Sequence, residues 1–330
     1  MKKVHYEILR IVYAFKKAVL SLILILSDWK YYLKHSLIVS DNETIDKERA
    51  MLMLLYHSLE KGLSLDEPKN NYGIKKALDL SRLSWNYLNR HGSDKVIIAA
   101  IDVLHEYCNQ LKDESDEALK LKKMNEYLSA QIPQDDRIKG GTKIISTNVP
   151  VITFDELKSF TSSRYSVRSF SQNKEITDDV ISRAVEIAQT APSVCNRQAT
   201  RVHVYNNADC KKIIDIQLGD QGWANQGNKL FIITSNVNYF GGVYERSQPF
   251  IDGGIYSILF ILGLHVQGIA TCCKMYIRDP VLENQFYKKT NIPRNEIPVM
   301  LILAGQYKEK EVKVPSSVRL EISDVLTFHS

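Results

Sequence analysis

The sequence predicts an α+β protein with an all-α N-terminal extension, on three observations. From Tyr6 to Tyr127 apolar residues recur at helical spacing with few β-branched runs. Beyond residue 200 short apolar strands are mixed with helices in no regular βαβ order, which argues for α+β. Between these regions, residues 131–152 hold Pro133, Gly140, Gly141 and Pro150 with little periodicity, a linker pattern. The expected division is therefore 1–150, helical, and 151–330, α+β.

The 330 residues suffice for one large domain or two ordinary ones, and 44% hydrophobic with 25% charged residues is a globular composition. The net charge of +5 suits an anionic small molecule. No Lys/Arg run interleaves with aromatics, so no nucleic-acid partner is expected. The five cysteines form no CxxC pair and no metal-ligand spacing, so no metal is expected. Their odd number, with Cys272 and Cys273 adjacent, points to a reducing, cytoplasmic setting.

Taken in order, Tyr6–Leu26 is a strong helical pattern. Lys16 and Lys17 interrupt it, and Ala18–Ser27 falls far short of the ~20 residues a membrane span needs. With Trp29, Tyr31 and Tyr32 beside Lys30 and Lys34, such a helix can lie on a membrane surface. Packing on the rest of the protein or on a partner subunit fits the same pattern and is preferred. Helices are expected at Ile45–Glu60, with Gly62 as C-cap, at Lys75–Arg90, and from Lys95 through Tyr127, after a break and new N-cap at Gly92, Ser93 and Asp94. Strands are expected at Arg201–Tyr205, Lys229–Ser235, Thr271–Ile277 and Pro298–Gly305, with helices at Cys210–Leu218 and Pro280–Lys288. Asn236–Phe250 reads as a loop able to cover a pocket. Ile251–Gly268 is apolar nearly all round, which predicts a central buried helix.

The most informative stretch is Arg164–Gln198. Ile176, Val180, Ile181, Ala184, Val185, Ile187 and Ala188 define one amphipathic helix, with Thr177 as N-cap. A basic cluster, Arg164 to Arg168, precedes it, and an amide-rich loop, Ala191 to Gln198, follows it. This arrangement suits a ligand with an anionic tail and a hydrogen-bonding head.

These residues resemble the opening of the nitroreductase family of FMN-dependent oxidoreductases. Asp252-Gly253-Gly254, followed by an apolar helix ending at Gly268 to Thr271, resembles a second family segment. The resemblance covers about Val151 to the end. It implies a nitroreductase-like core, a mixed and mainly antiparallel sheet flanked by helices. It also implies bound FMN, NAD(P)H as a transient co-substrate, a small organic acceptor with nitro and quinone compounds as permissive substrates, and a homodimer with FMN in the interface. The segment His57 to Leu65 resembles a helical extension in a subgroup associated with bacterial polysaccharide gene clusters. Two other readings stay open: a flavin-dependent dehydrogenase acting on an envelope polysaccharide or peptide precursor, and a non-catalytic flavin-binding scaffold.

The resemblance also implies roles. FMN carries a phosphate dianion, and arginine matches it with two parallel hydrogen bonds and a charge that never titrates. Arg164 and Ser166, flanking Tyr165, are the implied phosphate ligands, joined by Arg319 from the C-terminal tail. Arg168 leans toward the ribityl and pyrimidine end, where positive charge favours the reduced ring. Asn196 and Gln198 face the polar edge of the ring, and Pro192 and Ser193 present backbone to it. Gly253 and Gly254 allow close backbone approach near N5, and Thr271 closes the second motif. No catalytic side chain is singled out. Asp252 is either an acidic site residue or the N-cap of the apolar helix. His57 and Glu60 are either a proton-donor pair at the site or a helix-end arrangement in which Glu60 pairs with Lys61, and the second is preferred. One departure stands out: the family follows this Gln with Pro-Trp, whereas Gln198 is followed by Ala199, Thr200 and Arg201. The pocket wall therefore differs and the substrate does not carry over.

Overall fold

The computed structural model describes residues 2–38, 44–66, 72–133, 140–146, 151–171, 173–217 and 227–329. Residue 150 of the expected 150/151 boundary, residues 134–139 and 147–149 of the linker, and Pro68 lie outside the described residues.

Five helices build the N-terminal half: α1 (Lys2–His35), α2 (Ile45–Leu63), α3 (Ile74–His91), α4 (Lys95–Gln110) and α5 (Asp116–Ala130). Polar side chains start three of them. Thr44 accepts from Lys47 N, Asp94 from Val96 N and Ile97 N, and Ser115 from Ala118 N. The amphipathic faces of α2–α5 meet around Leu52, Leu59, Leu80, Ile97, Ile101, Leu104 and Leu121. The same core continues into Ala199, Val237, Tyr239, Phe240 and Ile297 of the C-terminal half.

Three expectations are corrected here. The single helix over Lys95–Tyr127 is two, because Asp113 accepts from both the backbone N and the hydroxyl of Ser115 and folds the chain into a turn that starts α5. Gly62 is no C-cap. It lies inside α2, where an added Cβ would enter the ring of Tyr72, and Ser64 ends the helix. Of the two packings expected for Tyr6–Leu26, the one on the rest of the chain is not seen. The segment's apolar side chains, among them Ile11, Phe15, Leu22 and Ile25, are exposed, and α1 is tied down near its end, by Asp28 and Tyr31 to Arg278 and by Tyr32 Oη to Gly242 O, with Leu37 N donating to Phe240 O just beyond it. Among the described residues no helix is long and apolar enough to cross a membrane.

The C-terminal half adds α6 (Phe154–Ser162), α7 (Asp178–Ala188), β1 (Thr200–Asn206), α8 (Asn207–Ile214), β2 (Lys229–Asn236), α9 (Gln248–His265), β3 (Ile269–Lys274), α10 (Pro280–Thr290), β4 (Glu296–Gln306) and α11 (Ile322–Val325). The helix α6 starts with a Thr153–Glu156 capping box that the sequence reading passed over. The strands form one antiparallel sheet in the order β1-β2-β4-β3. Alternation along β2 and β4 divides their side chains between two cores. Phe231, Ile233 and Ile302 face α7 and α9, whereas Leu230, Ile232, Leu301 and Leu303 face α8 and α10. This is the expected α+β fold with its helical N-terminal region.

The helix α9 starts earlier than expected and is not buried on all sides. Phe260, Ile261 and Leu264 are buried against the sheet. Phe250, Ile251, Ile255 and Ile258 are 36–51% exposed and form one apolar stripe at helical spacing, with Gly254 among them. An all-round apolar sequence does not say which faces the same chain covers.

Candidate functional site

The loop after α7 is strained. Cys195, Asn196 and Gln198 have φ of 48°, 51° and 50°, left-handed values that non-glycine residues rarely adopt. Such conformations cost roughly 1–3 kcal/mol each, and they persist only where surrounding contacts over-determine them. Here Val194 N donates to Asp252 Oδ2 at 3.1 Å, Asn196 N to Ser193 O at 3.0 Å, and Gln198 N to Ser193 Oγ at 3.1 Å. Arg197 is the peg. Its side chain is 1% exposed, donates to Tyr239 O at 2.7 Å and to the Glu245 carboxylate at 2.6 and 3.2 Å, and stacks on Phe240. Burial alone would raise the Glu245 carboxyl; Arg197 and the N–H groups of Gly242 and Gly241 outweigh it and hold that group below its ordinary value. Asp252 therefore holds the loop and is not an N-cap: α9 begins at Gln248, whose Nε2 takes its other oxygen.

A cleft of about 620 Å³ opens beside this loop. Pro192, Ser193, Gln198, Thr200 and Arg201 form one wall with Asp252 and Tyr256 of α9. The other wall comes from the N-terminal helices: Arg49, Met53 and Tyr56 of α2, and Asp94, Lys95 and Val96 at the start of α4. Asp94 joins the two helices, accepting from Arg49 at 2.7 Å and Tyr87 at 2.6 Å while capping α4. Burial opposes its charge, but Tyr87, Ile97 N and Arg49 hold its carboxyl below the ordinary value. Asn196 is exposed and lies outside the cleft lining. His57 and Glu60 also lie outside it; His57 Nδ1 and Glu60 Oε2 are 2.9 Å apart on α2, so Glu60 pairs with His57 rather than Lys61.

The basic cluster sits elsewhere. Residues 164–171 run beside the sheet edge, with Val167 N donating to Thr271 O at 2.9 Å, Ser166 bridged to Thr271, and Ser171 N donating to Gln306 O. Val167 and Phe170 are buried, so Arg164 and Ser166 are half-buried and Tyr165 and Arg168 exposed. Among the described residues Arg164 and Ser166 make no side-chain hydrogen bond or ion pair. The charge of Arg164 is felt at the end of α9: burial and then Arg164 lower the pKa of His265, whose Nε2 lies 2.8 Å from Ser163 Oγ. A guanidinium without an acidic partner beside a free hydroxyl is a fitting cradle for a phosphate.

The structure does not unite the two clusters within one chain. Val194 is held by Asp252 near the start of α9, and Arg164 lies by His265, its last residue. Thirteen residues of helix separate them, roughly 20 Å at 1.5 Å per residue. Gly253 does not offer its backbone to a ring, because an added Cβ would meet Val299 at 2.6 Å; Gly254 has nothing within 4 Å and faces open space. Arg319 is exposed in the segment after β4 and makes no hydrogen bond or ion pair to the described residues. Among these residues no group of His, Cys, Asp and Glu is placed to hold a metal ion.

Sequence reasoning missed Arg197, Arg49, Tyr256 and the Asp94–Tyr87 link. Arg197 was visible as the unassigned position between Asn196 and Gln198, but no local pattern shows that a guanidinium will be buried.

Residues 161–221 match the family model described as Nitroreductase family. No curated protein sequence matches the chain. Among solved structures, the chain is similar to a putative nitroreductase, ydfN, from Bacillus subtilis, at 16% identity and TM-score 0.47, over 54% of this chain and 100% of that one. It is also similar to a nitroreductase family protein from Streptococcus pneumoniae TIGR4, at 16% identity and TM-score 0.46, over 52% and 100%. A putative nitroreductase in complex with FMN from Desulfovibrio desulfuricans is similar at 15% identity and TM-score 0.45, over 54% and 99%. The match to the family model spans the stretch that runs from the basic cluster through α7 and the strained loop to β1, where the motifs lie.

Proposed function

We propose that the chain is an FMN-dependent oxidoreductase, active as a homodimer, that moves hydride equivalents from NAD(P)H to a small organic acceptor. One observation carries this reading: the two halves of the expected flavin site lie at opposite ends of α9, joined by an exposed apolar stripe. An isologous contact pairs a patch with itself. Packing the stripe of Phe250, Ile251, Ile255 and Ile258 on its two-fold copy, antiparallel, brings the loop end of one α9 to the side of the contact toward which the basic end of the other points. Each chain then offers Arg164, Ser166 and Arg168 to one flavin and Pro192, Ser193, Asn196 and Gln198 to the second.

In this reading Arg164 and Ser166 hold the phosphate, joined by Arg319 from the C-terminal segment, and Thr271 fixes the strand that presents them. Gly254, open on the stripe, supplies the close approach; Gly253 is packed inside. Arg197 and Asp252 position the loop. The flavin, when bound, supplies the redox chemistry, and the protein binds it, orients it and sets its surroundings. The division of labour at 150/151 belongs to the same proposal: residues 1–150 cover the site and residues 151–330 bind the cofactor.

The test is an absorbance spectrum of the purified protein, followed anaerobically as NADH or NADPH is added. Flavin bands that bleach are expected. A protein that takes up no FMN on incubation overturns the reading; one that holds flavin but never bleaches with either nucleotide overturns the choice of donor.

A further inference from the structure

The cleft has one wall that the flavin reading does not use, the one formed by α2 and α4. We propose that this wall selects the acceptor, and that the acceptor carries an anionic group, a carboxylate or a phosphate monoester, held between Arg49, Lys95 and Arg201. The acceptor role rests on the function proposed above; the anion site stands on the cleft alone.

Charge comes first. Arg49, Lys95 and Arg201 face two carboxylates, Asp94 and Asp252, and both carboxylates are already engaged. Asp94 is neutralised by Arg49 and accepts from Tyr87 and the start of α4. Asp252 has one oxygen on Val194 N and the other on Gln248 Nε2. Arg197 is matched by Glu245. Lys95 is exposed at the rim and has no carboxylate among the described residues. Arg201 sits over the Tyr239 ring and donates to Gln198 O, Thr200 O and Tyr239 Oη; its charge reaches the Glu296 carboxylate, but among the described residues it makes no ion pair. Positive charge held in a concave, partly desolvated wall attracts anions more strongly than the same charge on an open surface.

Geometry adds a second, independent observation. Tyr56 is 5% exposed as a residue and lines the cleft, and its hydroxyl makes no hydrogen bond among the described residues. A phenol whose ring is packed and whose hydroxyl is unpaired at a cleft wall offers a donor to a ligand. Burial raises its pKa, so it keeps its proton at neutral pH. Arg49 likewise directs Nε and Nη2 to Asp94 and Tyr87 and leaves Nη1 unused. Met53 and Pro192 give the cleft an apolar strip suited to a small ring or chain. The departure after Gln198 falls here too: Arg201 follows the Ala199–Thr200 that replaces the family's Pro-Trp, and it adds a cation to the wall facing α2 and α4.

The experiment has two arms. In the first, benzoate, phenyl phosphate and benzyl alcohol are titrated calorimetrically into the purified protein, with and without added FMN. Benzoate or phenyl phosphate is expected to bind about tenfold more tightly than benzyl alcohol, as a charge-assisted contact requires, and the tighter of the two names the anion. In Lys95→Gln and Arg201→Gln that preference is expected to fall about tenfold. In the second arm, kcat/KM for 4-nitrobenzoate is divided by that for 4-nitrobenzyl alcohol, and the ratio is expected to fall in the same two variants. Lys95 is exposed, so its variant stays informative even if Arg201→Gln, which loses the Tyr239 stack, does not fold. Equal binding of charged and neutral probes, or a preference indifferent to both substitutions, overturns the proposal. A protein that takes up no FMN but binds benzoate through Lys95 overturns the flavin reading and leaves the anion site standing. One that turns over both nitro probes alike does the reverse.

Discussion

The two ends of α9 are built on opposite plans. At the start of the helix, the 193–198 loop is locked by Asp252, Ser193 and a buried Arg197 whose guanidinium is fully engaged. At its end, Arg164 and Ser166 stand beside β3 with no side-chain partner among the described residues. A strained loop must be held by its own protein, because nothing else keeps its left-handed residues in place. A group meant for a ligand must be left open. The contrast separates residues that shape a site from residues that bind in it, and it can be tested from both sides.

The largest expected effect is at the locked end. Arg197→Met leaves the half-buried Glu245 with only the N–H groups of Gly241 and Gly242 and removes the peg of the loop, a loss of roughly 2–3 kcal/mol. A lowered thermal midpoint and loss of ligand binding in the cleft are expected. A variant as stable as the parent would show that the loop is not held by this residue. The stripe between the two ends comes next. Ile255→Asp with Ile258→Asp places two charges on the proposed two-fold contact while touching neither cluster. Sedimentation should show monomers, and flavin should be lost with the dimer; a monomer that retains FMN would sink the composite site.

At the open end the effect on stability is small by design. Arg164→Ala removes a half-buried side chain without partners, so the flavin-free protein should change by less than about 0.5 kcal/mol. FMN retention measured by absorbance should nevertheless collapse. A mutant that destabilises the apo-protein, or that keeps its flavin, contradicts the division between shaping and binding residues.

The smallest effect is in pH, where the two ends lose stability in different windows. Burial and Arg164 lower the pKa of His265 from 6.5, so the folded form binds fewer protons than the unfolded chain and its contribution is lost as pH falls below about 6.5. Glu245 is held below 4.5, chiefly by Arg197 against its burial, so its contribution is present above that value and lost only as pH falls further. Thermal midpoints should therefore be less sensitive to pH just below 6.5 in His265→Gln, and less sensitive below 4.5 in Glu245→Gln. Identical profiles in both variants would mean that the two ends are not electrically distinct.

Much of this protein follows from its sequence alone. Helical spacing in the first half, period-two strands after residue 200, the Thr177 cap and the order of the motifs around α7 are local facts, set by backbone geometry and side-chain pattern. What touches what across the chain is not local. The sequence places Arg164 and Gln198 at the two ends of one helix, but only the antiparallel packing of α7 on α9 puts their clusters at opposite ends of the longer helix. Periodicity made Ile251–Gly268 apolar all round, yet the sheet covers one face and leaves the stripe. Gly62 reads as a cap until Tyr72 arrives from another turn of chain, and Arg197, unassigned by any local pattern, is buried because Glu245 and Phe240 close over it. The cleft itself needs residues 49–56 of α2 and the first turns of α4, far upstream of the loop they face. A pattern records how much of a residue is to be buried; only the folded chain decides against what, because burial is shared between segments that no local spacing connects.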